Sequence, residues 1–69
     1  MNEDTIKGNW KQFRGKVRAR WGKLTNDDLG VIDGQRDQLV GKIHERFGIA
    51  RDAADRQVAD WEQRNRYRW

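Results

Sequence analysis

Glycine spacing is the feature that most constrains how this chain of 69 residues can fold. Six of its seven glycines form two triplets with seven-residue spacing: Gly8, Gly15 and Gly22, then Gly34, Gly41 and Gly48. The second triplet lies 26 positions after the first, and the surrounding residues match as well, for example Arg20-Trp21-Gly22 and Arg46-Phe47-Gly48. The pattern predicts one helical unit used twice, over about residues 8–33 and 34–61, within a single domain spanning 1–69.

Apolar residues recur at helical spacing along the chain, and no strand-like alternation is present. The longest stripe has steps of three and four over five turns and comprises Ile6, Trp10, Phe13, Val17, Trp21 and Leu24. Helices are predicted at about 4–21, 26–32, 34–47 and 51–66. The predicted fold class is all-α, a small four-helix bundle made of two related helical hairpins. The predicted core consists of Trp10, Phe13, Val17, Trp21, Leu29, Ile32, Leu39, Ile43, Phe47, Val58 and Trp61.

Local signals mark the ends of these helices. Thr25 is the expected N-cap of the second helix, and Leu24 and Leu29 occupy the positions of a hydrophobic staple. The pair Asp27-Asp28 is interpreted as helix capping, because acidic residues are favourable in the first turn. Three further expectations concern caps and breaks: Asn2 or Asp4 caps the first helix, Gly22 and Gly48 are left-handed C-caps, and Asp33-Gly34 breaks the chain.

Composition argues against several classes of protein. The chain has no Cys and no Ser, and His44 is its one histidine, which we expect to be solvated. No catalytic residue, cofactor, metal site or small-molecule substrate is therefore expected, and we do not expect an enzyme. No apolar run approaches the roughly 20 residues of a membrane span, and the acidic N-terminus lacks a signal-peptide core, so a cytoplasmic location without membrane contact is expected.

Basic residues are concentrated in the first helix. Residues 1–25 carry seven Lys or Arg and two acidic residues, a net charge of +5, whereas residues 26–69 carry eight and nine, a net charge of −1. One flank of the apolar stripe holds Lys7, Lys11, Arg14 and Arg18, and the other holds Lys16, Arg20 and Lys23. Such a stripe is typical of a phosphate-backbone binder, but cations also snorkel in this way beside a buried aromatic seam.

The C-terminal segment interleaves cations with aromatic rings from Arg64 to Trp69. Such a tail can stack on bases and hold phosphates, or it can fold back so that Trp69 covers the open end of a small core. The candidate residues for contact with a nucleic acid or another partner are Lys7, Lys11, Arg14, Arg18, Arg64, Arg66, Arg68 and Trp69.

Small residues lie opposite the apolar stripe. Gly8 and Gly15 share that side of the first helix, and Gly34 and Gly41 share the matching side of the third. A mid-helix glycine costs about 1 kcal/mol relative to alanine, so these glycines invite an explanation. They form either a face where a protein partner approaches closely or a set of helix-end glycines copied by duplication. The oligomeric state is left open.

The chain contains two copies of the pattern Gln-x-x-Gly-Lys-(Val/Ile)-x-x-x-(Trp/Phe)-Gly, with the segment Trp21 to Leu29 between the units. This arrangement resembles the CsbD-like family of small bacterial proteins. The ending from Asp60 to Trp69 looks like the YjbJ branch of that family. The resemblance implies a small all-α bundle and an association with general stress responses. It supplies no catalytic residues and no ligand. The expected function is a non-catalytic stress-response protein that acts by abundance or macromolecular contact; the alternative is a nucleic-acid-associated protein that binds phosphates through the first helix and the Arg-rich tail.

Overall fold

The protein consists of four helices joined by short connections. A computed structural model describes residues 2–67 and 69, and of residues 2–9 it describes the helical backbone alone. The helices are α1 (Asn2–Arg20), α2 (Asn26–Ile32), α3 (Arg36–Phe47) and α4 (Arg51–Asn65), and the described part of the chain contains no strand. The predicted all-α class is confirmed. The caps predicted at Asn2 and Asp4 lie outside the described side chains, as does Ile6 of the apolar stripe.

The ends of α2 follow the predicted signals. The Thr25 Oγ1 accepts a hydrogen bond from the Asp28 N–H at 3.1 Å, and the Asp28 carboxylate accepts one from the Thr25 N–H at 3.0 Å. This reciprocal pair is a capping box, which satisfies two N–H groups that a helix start leaves unpaired. Leu24 and Leu29 are both buried. Asp33 and Gly34 take positive φ values of 43° and 81°, which confirms the predicted break.

The repeated glycines do not share one conformation. Gly48 has a φ of 65°, and its N–H donates to the His44 carbonyl, so the predicted C-cap is confirmed there. The same prediction is wrong for Gly22, which does not adopt a left-handed conformation. The Trp21 N–H closes α1 on the Val17 carbonyl at 2.9 Å, and the Leu24 N–H donates to the Trp21 carbonyl at 3.1 Å in the turn that follows.

The start of the third helix also differs from the prediction. That helix was predicted from residue 34, but α3 begins at Arg36 with Gln35 as its N-cap. Gly34 is buried and its φ of 81° lies outside the helical range, so this glycine belongs to the connection. The glycine therefore permits a change of chain direction and takes no part in a helical small-residue face.

Apolar side chains from all four helices form one core. Nine of the eleven predicted members are buried, and Phe13 and Phe47 are half-buried against them. The core also contains Leu24, Val40, Ala54 and Tyr67.

The helices join in two different ways. The backbones of α2 and α4 each pack against α3. α1 and Trp21, the residue that follows it, contact α4 through side chains. The Trp21 Nε1–H donates to Gln57 Oε1 at 2.9 Å, and the rings of Phe13 and Trp61 are 6.1 Å apart in an edge-on arrangement. The grouping into two related hairpins stays a prediction.

A buried carboxylate joins α2 to α3. The Asp28 side chain is 3% exposed and accepts hydrogen bonds from Arg46 Nη2 at 2.9 Å and Arg46 Nε at 3.0 Å, with Lys42 Nζ at 3.6 Å. The hydrogen bonds from Arg46 and from the Thr25 backbone hold the pKa of Asp28 well below its ordinary value, although burial acts in the opposite direction. Asp28 therefore caps one helix and anchors the next.

We expect Asp28→Asn to lower the free energy of unfolding by about 1–2 kcal/mol at pH 7, because charge-assisted hydrogen bonds to Arg46 are lost. A lowered pKa in the folded chain gives stabilisation that is complete above about pH 4 and is lost as the pH falls toward the folded value. Wild-type stability should thus fall more steeply below pH ~4 than that of the variant, as measured by urea denaturation. Asp27→Asn, at an exposed neighbour, is the control, and an equal loss in both variants would contradict this role.

Candidate nucleic-acid interface

The outer face of α1 is a narrow ridge of small and neutral residues. Trp10 and Val17 point into the core, whereas Gln12, Gly15 and Ala19 lie on the opposite side and are exposed. A Cβ atom added at Gly15 would have no other atom within 4 Å. The ridge is therefore open along the part of α1 whose side chains are described.

Two rows of basic residues flank this ridge. The first basic row, on one side, consists of Lys11, Arg14 and Arg18, and the second basic row, on the other, consists of Lys16, Arg20 and Lys23, which follows the end of the helix. The rows arise because the apolar stripe occupies the inward third of the helix and leaves the flanks to long charged side chains. The side chain of Lys7, predicted to extend the first row, lies outside the described residues.

Aromatic rings hold the second basic row in place. Lys16 Nζ is 4.9 Å from the centroid of Phe13, and Lys23 Nζ is 5.3 Å from that of Phe47. The Arg20 guanidinium is 5.1 Å from the ring of Trp21. These distances are within the range of cation–π attraction. The snorkelling arrangement is therefore present in this row, with the cations fixed at the edge of the core.

The first basic row is held more loosely. Lys11 is exposed and Arg14 is half-buried. Arg18 is exposed and donates from Nη1 to Asn26 Oδ1 at 3.0 Å, which ties the end of α1 to the start of α2.

The basic residues of α1 whose side chains are described form no salt bridge with other described residues. No acidic residue occurs between Asp4 and Asp27 in the sequence. In the part of the chain that the structure describes, the salt bridges involve basic residues of α3 and α4 only: Arg36 with Asp55 and Glu62, Lys42 with Asp28 and Glu45, Arg46 with Asp28, and Arg64 with Asp60. Arg51 and Arg56 of α4 are exposed and belong to none of these pairs. The largest group of basic residues outside these pairs is therefore on α1.

The C-terminal tail folds back onto the core. Trp69 is half-buried, with its ring centroid 4.6 Å from Tyr67, 6.1 Å from Trp10 and 6.2 Å from Trp61. Of the two arrangements considered for this tail, the structure has the one in which Trp69 covers the end of the core. The rings are thus engaged with each other, and they do not form a free stacking platform.

Two of the three arginines of the tail are described. Arg64 pairs with Asp60 one turn earlier at 3.0 Å. Arg66 is exposed and closes α4 in a left-handed conformation with a φ of 52°. Arg68 lies outside the described residues. A contact role for these arginines stays a prediction.

At this end of the core, Tyr67 Oη and Trp69 Nε1 are buried without a hydrogen-bond partner among the residues described. Burial raises the pKa of the Tyr67 hydroxyl. An unpaired buried donor costs about 1–3 kcal/mol, so part of the gain from aromatic packing is offset here.

The remaining polar features are local. His44 is exposed, and its Nδ1 lies 2.7 Å from the Ile49 carbonyl oxygen, beyond the end of α3. An open cavity of about 380 Å³ lies beside it and is lined by Gln38, Gly41, Lys42, His44, Glu45 and Arg51. No group of three His, Asp or Glu side chains suited to a metal ion is present among the residues described. None of the helices, over their described length, is long and apolar enough to cross a bilayer.

Four helices, with a capping box of Thr25 and Asp28 at the start of α2, define a small all-α protein. The family model described as CsbD-like matches residues 4–56, so the chain belongs to the CsbD-like family. It is 62% identical to the UPF0337 protein YjbJ of Escherichia coli K12 over 69 residues, the full length of both chains.

Other relatives are similar over nearly their whole length. The UPF0337 protein ECA0631 of Pectobacterium atrosepticum is 56% identical over 69 residues, covering all of both chains. The UPF0337 protein PA4738 of Pseudomonas aeruginosa is 50% identical over 64 residues, covering 93% of this chain and 98% of the relative. The chain therefore belongs to the YjbJ branch, as its C-terminal segment predicts.

Residue spacing located the two basic rows but missed the contacts that distinguish them. The proposed contact residues omitted Lys16, Arg20 and Lys23, although these lie on the same outer surface as Lys11. The signal was present in the sequence. Lys16 lies three residues after Phe13, Arg20 directly precedes Trp21, and Lys23 lies two residues after Trp21. What spacing could not supply is that the second-row residue Lys23 lies over Phe47, which belongs to another helix.

We expect Trp69→Ala to lower the free energy of unfolding by about 1–2 kcal/mol, because the ring packs on three aromatic neighbours but is only half-buried. Trp69→Phe is the matched control: it keeps a ring and removes the unpaired Nε1–H, so it should cost clearly less. Thermal unfolding followed by circular dichroism gives both values. Equal stability of the wild type and Trp69→Ala would mean that the tail does not pack in solution.

Proposed function

We propose that this protein is a non-catalytic, cytoplasmic stress-response protein that acts through contact with other macromolecules, at high abundance. Membership of the CsbD-like family supports the association with stress. The observation that carries the contact role is the exposed face of α1, where the described basic residues form no salt bridge with other described residues, whereas every Lys and Arg of α3 forms one.

The engagement of polar side chains in the fold supports a non-catalytic role. Asp28 is bound by Arg46 and Lys42, and Glu62 is bound by Arg36. His44 contacts the Ile49 carbonyl oxygen beside it. A general acid or base needs a group that is free to exchange a proton with a substrate, and these groups are occupied by structural contacts.

The stress role is tested by deleting the gene in the host bacterium and measuring survival after osmotic shock and in stationary phase. We expect lower survival, restored by the wild-type gene but not by Lys11→Glu with Arg14→Glu, which removes positive charge from α1. The control, Arg51→Glu with Arg56→Glu, makes the same change of net charge at exposed positions of α4 and should restore survival. Unchanged survival of the deletion strain, or full rescue by the α1 variant, would refute the proposal.

The second candidate function is association with nucleic acid. It is favoured by the same uncompensated charge, because Lys and Arg side chains on one exposed face are the footprint of a phosphate binder. The tail contributes less than the sequence suggested, since Arg64 is paired with Asp60 and Trp69 packs on the core. If the protein associates with nucleic acid, we infer that α1 is the main contact surface and that the tail arginines contribute less.

We expect the affinity for a 20-base-pair DNA duplex, measured by fluorescence anisotropy, to fall steeply with salt, with a slope of roughly −0.9 per phosphate contacted. Lys11→Glu with Arg14→Glu should weaken binding about tenfold or more, because two phosphate contacts become repulsive. Arg51→Glu with Arg56→Glu should have a much smaller effect. Circular dichroism confirms that both variants fold. Absence of binding at low salt, or equal binding by the wild type and the α1 variant, would rule out this candidate.

A further inference from the structure

We propose that α1 lies along the major groove of B-form duplex DNA, with its two basic rows on the two phosphate backbones and its neutral ridge toward the groove floor. The inference rests on the second candidate function above and adds the form of the nucleic acid and the way it is bound.

The shape of the exposed surface fits a groove. An α-helix with its side chains is about 10–12 Å across, and the major groove of B-form DNA is about 12 Å wide. Gly15 and Ala19, with an absent and a short side chain, allow the helix axis to approach the bases, and Gln12 adds one flexible, uncharged side chain to the ridge. With the ridge facing the groove floor, the basic residues on the two flanks face the two phosphate backbones. A single central row of basic residues would face the bases instead.

The positions of the basic side chains are partly fixed before binding. Lys16, Arg20 and Lys23 are held over aromatic rings, and Arg18 is hydrogen-bonded to Asn26. A side chain that is already ordered loses less conformational entropy when it meets its partner. The cations of the second basic row thus have a favoured position along one side of the ridge.

The surroundings of the ridge argue against single strands and membranes. Proteins that hold single strands without sequence preference present aromatic rings for base stacking, but Trp10 and Trp21 are 3% and 0% exposed and Trp69 packs on other rings. A membrane-surface helix presents large apolar side chains beside its cations. In the described part of the chain, the exposed large hydrophobic residue is Val31, and it lies on α2 and not beside the cations of α1.

The same ridge predicts weak discrimination between base sequences. Gly15 and Ala19 have no group that can form a hydrogen bond with a base edge, and Gln12 is the ridge side chain that has one. Phosphate contacts orient a protein on the duplex but carry no sequence information. Double-stranded RNA is excluded as the preferred partner, because its major groove is deep and narrow.

The first test compares a 20-base-pair DNA duplex with double-stranded RNA and single-stranded DNA of the same sequence. We expect the DNA duplex to bind tightest. In the same assay, one double variant removes two cations from each basic row: Lys11→Gln with Arg14→Gln for the first row, and Lys16→Gln with Lys23→Gln for the second. Each double variant should reduce the slope of log affinity against log salt concentration by about 2, because both rows contact phosphates. If only one pair changes the slope, the helix contacts a single backbone and the groove arrangement is overturned.

The second test adds bulk to the ridge without changing charge. Gly15→Phe should weaken duplex binding about tenfold or more, since the ring holds the helix away from the groove floor and the cations away from the phosphates. Gly30→Phe is the matched control, because Gly30 of α2 is also exposed with no atom within 4 Å of an added Cβ. Both variants should fold, as circular dichroism will verify.

The outcomes separate this inference from the candidate function on which it rests. Equal binding of single-stranded DNA or double-stranded RNA, or equal affinities of Gly15→Phe and Gly30→Phe, would overturn the groove arrangement and leave nucleic-acid association standing. Absence of binding to all three nucleic acids at low salt would overturn both.

Discussion

The burial of a few large aromatic side chains is the constraint on which the rest of the structure depends. A chain of 69 residues with 35% hydrophobic composition has a small core, and its largest buried side chains are aromatic. α1 therefore turns Trp10 and Trp21 toward α4 and the tail, where Trp61 and Tyr67 complete the cluster. Since no acidic residue accompanies this stripe, the basic residues of α1 remain on the flanks and outer side as an uncompensated surface.

Directional polar contacts then determine how the other helices are placed. Asp28 connects the start of α2 to Arg46 near the end of α3, and Arg36 at the start of α3 binds Asp55 and Glu62 of α4. Charged hydrogen bonds of this kind have strict geometry, so they favour one arrangement of the helices. Apolar packing alone would permit several. The Lys and Arg residues of α3 and Arg64 of α4 pair with carboxylates in the process, whereas the described basic residues of α1, and Arg51 and Arg56 of α4, form no such pair with the residues described.

The helices, most of the core and the two basic rows could be predicted because each follows from residues three or four positions apart. Thr25 and Asp28 form a local cap for the same reason. Prediction was wrong at Gly22, which was assigned the left-handed conformation found at Gly48, and it began α3 too early, at residue 34. Matching positions in a duplicated sequence need not share a conformation: a turn from the Leu24 N–H to the Trp21 carbonyl follows α1, whereas Gly48 itself caps α3.

By itself, the amino-acid sequence determined the helical period, the helix ends marked by Thr25 and Gly48, and the segregation of basic charge to α1. The tertiary structure alone decided that Asp28 is buried against Arg46, that Trp69 covers the core, and that the salt bridges among the described residues involve α3 and α4 and not the described basic residues of α1. The physical reason is range. Helix formation and capping depend on neighbours within one or two turns, whereas burial and ion pairing depend on which distant segments meet.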